Sequence, residues 1–549
     1  MKPNKNDLVF LPLGGSNEIG MNVNLYHYNG KWIIVDLGAG FAGDDFPGVD
    51  MLAPDLSFVY ENKKDFLGIV LTHAHEDHVG SVGYLFDQLQ LPIYATPFTA
   101  QVAFNKLEQI KAKDRAKINI IQPGARFKIG DFDLEYIQIT HSIPEMNGVI
   151  IRTPAGKVFH TGDWKFDPAP VVMPTTDFKK LEEIGKEGIT AMVCDSTNVF
   201  NDRYSGSEGD LLPALTQLIS EQRGTVYVTT FASNVARVDT ICRAAAANKR
   251  KVAITGLSLH KYTEFARATG YLKDIDAFIS DKELSTLPRD RVLVICTGCQ
   301  GEERAALNKI ANNQHQYLKI TPKDSVIFSS KIIPGNEKKI FKLFNQFVRL
   351  KCEVFTEKDH KVHVSGHPSS AELTKMYEIV KPQIAIPVHG EAAHLHEHCK
   401  LAKRLGVPKT IELQNGEMIK IGPDEPKSLA HIKFGYLGVD GFMLQPKDGP
   451  VMTMRRKMKT DGVVAVSIVV DKKSVLVSDP LIKTPGLIDE EENPAFITYL
   501  EEEVADLVEH NKGQPDDVIV KKVRKQLKAL VQHELGKLPL VEVLVNRVH

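Results

Sequence analysis

The segment His73-Ala-His75-Glu-Asp77-His78 puts four side chains able to bind a metal within six residues, directly after the apolar run Gly68-Ile-Val-Leu-Thr72. In an extended chain alternate side chains share a face, so His73 and His75 project together. If the chain then turns into a helix, Asp77 and His78 reach a second position beside the first. Such a set suits a pair of divalent ions, one site rich in nitrogen and the other mixed nitrogen and oxygen. A solvated polar loop would account for the polarity but not for three imidazoles around one carboxylate. Three more strand ends supply partners: His141 in Thr140-His-Ser-Ile-Pro144, Asp163 in His160-Thr-Gly-Asp-Trp164 and His389 in Ile386-Pro-Val-His-Gly-Glu391. Each alone reads equally well as a capping or turn residue. With the cluster they complete a two-metal ligand set.

Elements of a definite kind must deliver these residues. Up to about residue 200 short β-branched runs alternate with polar loops, as in Trp32-Ile-Ile-Val-Asp36, Lys157-Val-Phe-His-Thr161 and Thr190-Ala-Met-Val-Cys-Asp195. Each run ends in acidic or histidine residues, as strands do when they feed one edge of a layered α/β domain. From about 206 to 350 strands separated by amphipathic helices take over, with Thr225–Thr230, Arg291–Ile295 and Ser325–Ser329 reading as buried parallel strands. Gln383–His389 then resumes the earlier style, so the middle segment is an insertion and the first domain is completed after it. Gly and Pro cluster over 422–450, which predicts a linker. Beyond it Val463–Val470 and Ser474–Ser478 are expected to pair as strands. Val520, Val523, Leu527, Leu530 and Val531 should line a helix, and Leu540–Val548 should form a strand.

The chain has 549 residues, 43% of them hydrophobic, and Lys+Arg 68 against Asp+Glu 69 leaves a net charge of -1. At about 100–200 residues per domain this predicts several domains with ample apolar material. A uniformly basic coat is excluded, so any nucleic acid must use a local groove. Six cysteines are too sparse for a disulfide framework and point to a reducing compartment. The segment Met1–Asp7 is polar, without a signal-peptide apolar run, and Val463–Val470 falls far short of the ~20 residues of a membrane helix. A cytoplasmic protein with no membrane partner is expected.

The order Asp36 (in Val35-Asp-Leu-Gly38), His73/His75/Asp77/His78, His141 and Asp163 resembles the motif order of the metallo-β-lactamase superfamily. Asp195-Ser-Thr-Asn198, the last histidine of His363-Val-Ser-Gly-His367, and His389 resemble motifs A, B and C of its β-CASP nucleases. Gly14-Gly-Ser-Asn-Glu-Ile-Gly-Met-Asn22, Thr230-Phe-Ala-Ser-Asn234, Ser329-Ser-Lys-Ile-Ile-Pro-Gly-Asn-Glu337 and Ile386–Glu391 are similar to the bacterial ribonuclease J family, and the likeness spans the whole chain. It implies an α/β fold: a metallo-β-lactamase αββα sandwich at 1–205 and 356–425 with an inserted β-CASP domain at 206–355. A linker at 426–455 and a small C-terminal α+β oligomerisation domain at 456–549 complete it. Arg203-Tyr-Ser-Gly-Ser-Glu208 lacks the Pro-Gly expected at the domain crossing, and Thr484-Pro-Gly486 replaces a usual Ser-Arg-Gly; neither touches a ligand.

Carried over residue by residue, the resemblance implies two Zn2+ per subunit, with Mn2+ or Mg2+ as alternatives. His73, His75 and His141 would hold one ion, Asp77, His78 and His389 the other, Asp163 would bridge, and Asp36 would orient ligands from behind. The ions would activate water for attack on a phosphodiester. His367, set by Asp195, would serve the leaving 3′-oxygen or bind phosphate. His363, Val364, Ser365, Gly366, His367 and Ser369, with Ser233 and Asn234, would seat a terminal 5′-phosphate, having the small residues, exposed N–H groups and hydroxyls an anion pocket needs. Gly48, Asp50 and Asp440 would offer a structural Ca2+ site. The implied activity is a ribonuclease, 5′-to-3′ exonuclease and endonuclease, on single-stranded RNA with 5′-monophosphate ends, assembled as a homodimer or homotetramer.

Three rivals are weaker. A β-CASP DNA nuclease is opposed by His389, where DNA-directed relatives tend to carry valine; a small-molecule hydrolase by the insertion; and an inactive RNA-binding scaffold by the full ligand set. Gly14…Gly20 has the wrong spacing for a dinucleotide loop, Cys296-Thr-Gly-Cys299 is a lone pair, and His394, His396 and His398 read as a surface cluster. Phe231 reads as a core residue before a base-stacking one.

Overall fold

Two sheets carry the metal motifs. The computed structural model describes residues 3–548; Met1, Lys2 and His549, which the sequence reading includes in the terminal domains, lie outside the described residues. The chain forms two compact units, one of residues up to Gly40 with Ala53–Gly435, the other of Phe41–Leu52 with Tyr436 onward.

In the first unit the eight-stranded sheet runs Lys427–His431, Glu417–Gly422, Leu8–Gly14, Val23–Tyr28, Lys31–Val35, Phe66–Val70, Ile93–Ala95, Ile118–Ile120. The seven-stranded sheet runs Lys409–Thr410, Ile384–Val388, Ala191–Asp195, Gly156–His160, Asn147–Thr153, Phe132–Gln138, Arg126–Ile129. Their inner faces share one core, in which Phe10, Tyr26, Ile33 and Val70 meet Leu134, Tyr136, Val149 and Val193. Helices Phe178–Glu187, Ser370–Val380 and Ala392–Arg404 cover the second sheet through Leu181, Leu373, Met376 and Ala402. This is the expected αββα sandwich.

The insertion is a five-stranded, wholly parallel sheet, ordered Lys251–Thr255, Val292–Cys296, Val226–Thr229, Ser325–Phe328, Glu353–Phe355. Its three central strands are the buried apolar runs predicted, and the partly exposed edge strands Lys251–Thr255 and Glu353–Phe355 were not. The chain leaves the seven-stranded sheet after Asp195 and re-enters it at Ile384, and those two strands pair in parallel with Asp195 opposite Val388. Gly156–His160 lies parallel on the other side of Ala191–Asp195. Three parallel strands therefore release Asp163, Asp195 and His389 at one edge.

In the second unit Val463–Val470 pairs in parallel with Leu540–Arg547 and antiparallel with Leu481–Lys483. The expected pairing with Ser474–Ser478 is reduced to one bridge, Val470 to Leu476. The cause is local: the Asp471 carboxylate accepts from the Lys473 and Val475 amides, folding 471–475 into a turn. Helix Asp516–Leu535 buries Ile519, Val523, Leu527 and Val531 against this sheet. The stretch predicted as a linker carries strand Lys427–His431 of the first unit and strands Tyr436–Asp440 and Met443–Pro446 of the second. No described helix is long and apolar enough to cross a membrane.

Candidate metal centre and active site

Strands Lys31–Val35 and Phe66–Val70 are parallel, with Val35 opposite Val70, so Asp36 and the residues that follow Thr72 emerge together. His73 and His75 leave in extended backbone and helix Glu76–Val79 begins at once, presenting Asp77 and His78. Gly38 permits the approach: a Cβ there would lie 1.9 Å from the Asp77 carbonyl. Asp36 and His389 both occupy left-handed backbone, φ 64 and φ 54, strain of the kind found at functional sites.

Asp163 Oδ2 is the centre of the site. It lies 3.1 Å from His78 Nε2, 3.7 Å from His389 Nε2, 3.9 Å from His141 Nε2, 4.0 Å from His73 Nε2 and 3.9 Å from His367 Nδ1. Two ligand groups converge around it, one of His73, His75, His141 and Asp163, the other of Asp77, His78, Asp163 and His389.

Outer hydrogen bonds set the ring tautomers. Asp36 Oδ2 accepts from His78 Nδ1 at 2.7 Å and from Thr72 Oγ1 at 2.8 Å, so Thr72 Oγ1 is left to accept from His73 Nδ1 at 3.0 Å. Thr197 Oγ1 donates to Asp195 Oδ1 at 2.7 Å and accepts from His389 Nδ1 at 2.6 Å. His141 Nδ1 donates to the Gly366 carbonyl at 2.6 Å. Four rings thus spend their Nδ1 protons outward and aim Nε2 inward, the arrangement that orients metal-bound histidines. His75 instead presents Nδ1, 3.1 Å from His73 Nε2 and 3.0 Å from His141 Nε2.

This donor set fits divalent cations. Burial, with repulsion among neighbouring rings, holds His73 and His141 well below the usual imidazole range, and burial brings His75 down to about 4. Three neutral rings facing one point, His73 and His141 buried and His75 half-buried, repel one another unless a cation takes up their lone pairs. On the other side burial opposes charge on His78 and His389, but Asp163, Asp77 and their neighbours outweigh it, raising His78 and bringing His389 to about 9. These are the protons a cation replaces. Burial alone would raise Asp163 and Asp77; His389 and His78 hold Asp163 well below the ordinary carboxylate range, and His78 and His389 lower Asp77.

Asp163, Asp195, His367 and His389 also lie close enough to bind an ion. Asp195, though, is spent on the Thr197 amide at 2.8 Å, the Thr197 hydroxyl and His367 Nδ1 at 2.8 Å, which makes it an orienting carboxylate. Burial disfavours a charged His367, but Asp195 outweighs it and raises the ring's pKa. Nδ1 being taken, Nε2 is the nitrogen left to act.

The loop 363–367 is tied to this edge. Asn198 Nδ2 donates to Ser365 Oγ at 2.7 Å and to the His367 carbonyl at 3.2 Å. At Gly366 a Cβ would lie 2.7 Å from His141 Cε1. Val364 is buried, and His363 is half-buried and held well below its usual range by burial and by Arg237. Asn234 caps helix Val235–Ala247 through the Arg237 amide; Ser233 and Phe231 before it are half-buried, so Phe231 is not a core residue. Ser369 is fully buried and its hydroxyl forms a capping box with Glu372, so its polar atoms serve helix Ser370–Val380.

Two further sequence readings need correction. His398 is not on the surface: it is fully buried, accepting from or donating to Ser196 Oγ at 2.9 Å and Tyr377 Oη at 2.8 Å. It shares the inner helix face with Leu395 and Ala402, while His396 is exposed beside Glu412. Asp440, expected at a cation site with Gly48 and Asp50, receives Arg455 Nη2 at 2.7 Å, and a Cβ on Gly48 would lie 3.7 Å from Arg455 Nη1. The positive charge there is a guanidinium. Sequence reasoning missed the roles of Thr72, Thr197 and Asn22, whose Nδ2 lies 3.0 Å from His78 Nε2. Thr72 stands beside His73, while Thr197 and Asn22 have no ligand next to them in the chain, so only the fold reveals them. Cys296 and Cys299 are buried thiols, their pKa values raised chiefly by burial.

Comparison with known proteins agrees with this geometry. Family models match for the metallo-beta-lactamase superfamily (residues 19–229), the ribonuclease J beta-CASP domain (223–347), the Zn-dependent metallo-hydrolase RNA specificity domain (352–412) and the ribonuclease J C-terminal domain (450–548). The chain is 39% identical to ribonuclease J of Sinorhizobium meliloti over 99% of its own length and 98% of that protein's. It is 34% identical to ribonuclease J of Corynebacterium glutamicum, over 98% and 75%. A solved structure of a protein of unknown function from Enterococcus faecalis V583 has the same fold with TM-score 0.53 and 15% identity, covering 75% of this chain and 99% of that one. With a divalent-metal donor set at the edge of a metallo-β-lactamase sandwich and these relatives along nearly its whole length, the chain belongs to the ribonuclease J family and is a metal-dependent hydrolytic ribonuclease.

Proposed function

We propose that this ribonuclease degrades single-stranded RNA from the 5′ end, prefers a 5′-monophosphate, and also cuts internally, in RNA decay and maturation. The observation that carries the reading is the bond from His141 Nδ1 to the Gly366 carbonyl at 2.6 Å, which joins the loop 363–367 to a metal-ligating ring. A terminal phosphate held on that loop lies at a set distance from the bond to be cut, so one nucleotide leaves at a time.

In this reading His73, His75 and His141 would hold one Zn2+ and Asp77, His78 and His389 a second, with Asp163 shared between the two groups; Mn2+ or Mg2+ could substitute. Bound there, the ions supply a lowered water pKa and offset charge on the phosphoryl oxygens. The chain's own residues do the rest. Asp36 and Thr197 keep the rings in register. His367, kept protonated by Asp195, gives its Nε2 proton to the leaving 3′-oxygen, yielding 5′-phosphate and 3′-hydroxyl ends. The loop amides of 363–367, with Ser233 and Asn234, bind the terminal phosphate.

The metal-bearing domain is assigned to 1–205 and 356–425, the insertion to 206–355, a connection to 426–455 and an oligomerisation domain to 456–549. Exposed Leu481 and Leu544 support a dimer or tetramer through that last domain, in a cytoplasmic protein. Light scattering on the full chain should give a multiple of 61.1 kDa that Leu544→Asp lowers; an unchanged particle mass refutes this surface. RNA labelled at the 5′ end with a mono- or triphosphate tests the activity: mononucleotides should appear faster from the former. Parental rates in Asp163→Ala or His75→Ala would sink the assignment.

A further inference from the structure

A buried polar chain runs from the metal cluster to the loop 363–367, and Arg237 stands in the middle of it with 0% exposure. Its guanidinium grips Glu208 twice, Nε to Oε1 at 2.5 Å and Nη2 to Oε2 at 3.0 Å. Nη1 donates to the Ser329 carbonyl and hydroxyl, both at 2.8 Å, and to the Val362 carbonyl at 3.2 Å, with His363 Nδ1 3.4 Å away. Ser329 Oγ in turn donates to the Val362 carbonyl at 2.7 Å. In the other direction Glu208 N donates to Asp167 Oδ2 at 2.9 Å and Ser207 Oγ to Asp167 Oδ1 at 2.6 Å. Lys165 Nζ joins Asp167 Oδ2 at 2.9 Å to the Gly206 carbonyl at 3.0 Å. Asp167 N then donates at 3.0 Å to Thr140 Oγ1, the residue before His141.

Stability does not explain this much buried charge. A buried ion pair is often no better than packed apolar side chains of the same volume. What charged, bidentate bonds supply is fixed geometry, because the guanidinium plane holds several acceptors in one orientation. The chain crosses from the sandwich into the insertion and back to the root of the pocket loop, so it holds that loop at Val362, four residues before the His141–Gly366 bond. We infer that Arg237 is a positioning residue: it sets the span between the pocket loop and the metal cluster, and with it the number of nucleotides removed per cut. This rests on the exonuclease reading above.

The test compares the parent, Arg237→Lys and Ser329→Ala as metal-loaded full chains on one RNA bearing either a 5′-monophosphate or a 5′-hydroxyl. Lysine keeps the charge but loses the fork. Arg237→Lys should raise KM for the monophosphate RNA about tenfold with kcat within about threefold, and dinucleotides should appear among the products; 5′-hydroxyl RNA should be cut at the parental rate. Ser329→Ala, which removes one link, should move the same quantities about two- to fourfold, and decides the matter alone if the lysine variant does not fold. Parental KM with mononucleotides only, or an equal loss on both RNAs, overturns the inference. A parent that releases no mononucleotides instead overturns the exonuclease reading.

Discussion

Replacing Asp36 by Asn tests the logic of the site without touching a proposed ligand. Asp36 is fully buried and accepts from the Thr72 amide at 2.7 Å, Thr72 Oγ1 at 2.8 Å and His78 Nδ1 at 2.7 Å. Asn tolerates the left-handed backbone found here, so the fold should persist. Its amide has one acceptor oxygen. If the nitrogen faces Thr72 N, two donors oppose; if it faces His78, the ring must move its proton to Nε2, which points into the metal cluster. Either way at least one bond to a charged acceptor is lost, worth about 1.5–3 kcal/mol. At about 1.4 kcal/mol per decade that is roughly 10- to 150-fold in metal affinity, in line with the range seen for such outer partners. Competition against a chelator gives the affinity, melting gives the fold, and RNA cleavage at limiting and excess Zn2+ gives the consequence, which excess metal should partly restore. A folded Asp36→Asn enzyme binding metal within twofold of the parent would refute the reasoning.

Gly366→Ala puts a methyl group 2.7 Å from His141 Cε1 and should cost at least about tenfold in RNA cleavage and in retained metal, with metal analysis after dialysis as the check. His367→Gln should lower kcat on RNA by about 10²–10⁴ yet spare bis(p-nitrophenyl) phosphate, whose leaving group needs no proton; equal losses would rule out the general-acid role. Burial brings His398 down to about 4, below the ~6.5 of an unfolded chain, so the unfolded state takes its proton first. Its contribution is complete above about pH 6.5 and falls as pH drops toward 4, by about 3 kcal/mol at most. Denaturant titrations of the parent and His398→Gln across that window should show a flatter pH dependence in the variant; parallel curves would contradict this.

What the sequence disclosed depended on how each residue acts. Ligands are legible because an imidazole at a strand end is an unusual expense: His73, His75, His78, His141 and His389 stand out against their surroundings and all converge here. A layered α/β domain was legible for a similar reason, since runs such as Ala191–Asp195 are apolar up to a polar end, whereas the αββα order came only with the family resemblance. Thr72 and Thr197 were not, because a threonine beside His73 or two residues after Asp195 is ordinary in a sequence and only the tertiary fold reveals a hydroxyl shared between ring and carboxylate. His398 was misread because its helix alternates histidines, and spacing alone does not say which face meets Ser196 and Tyr377. The stretch 422–450 reads as a linker because Gly and Pro cluster in it, yet edge strands and hairpins use those residues too.

The point of insertion explains why one chemistry needs two domains. Strands Ala191–Asp195 and Ile384–Val388 are neighbours in space, so the inserted domain hangs from the edge where Asp195 and His389 emerge. It also returns to the metal loop: Tyr262 Oη, on helix Leu257–Ala268, donates to the Ala74 carbonyl at 3.2 Å, between His73 and His75. Glu145 accepts from Tyr271 Oη at 3.2 Å and from the Phe98 amide at 2.7 Å, joining the insertion to the helix beside that loop. An open sandwich edge would admit any small ester. With the insertion anchored on the metal loop at Ala74 and beside it at Glu145, the metal cluster stands at the junction of two domains, so a ribonuclease of this family must bring its RNA past residues of both.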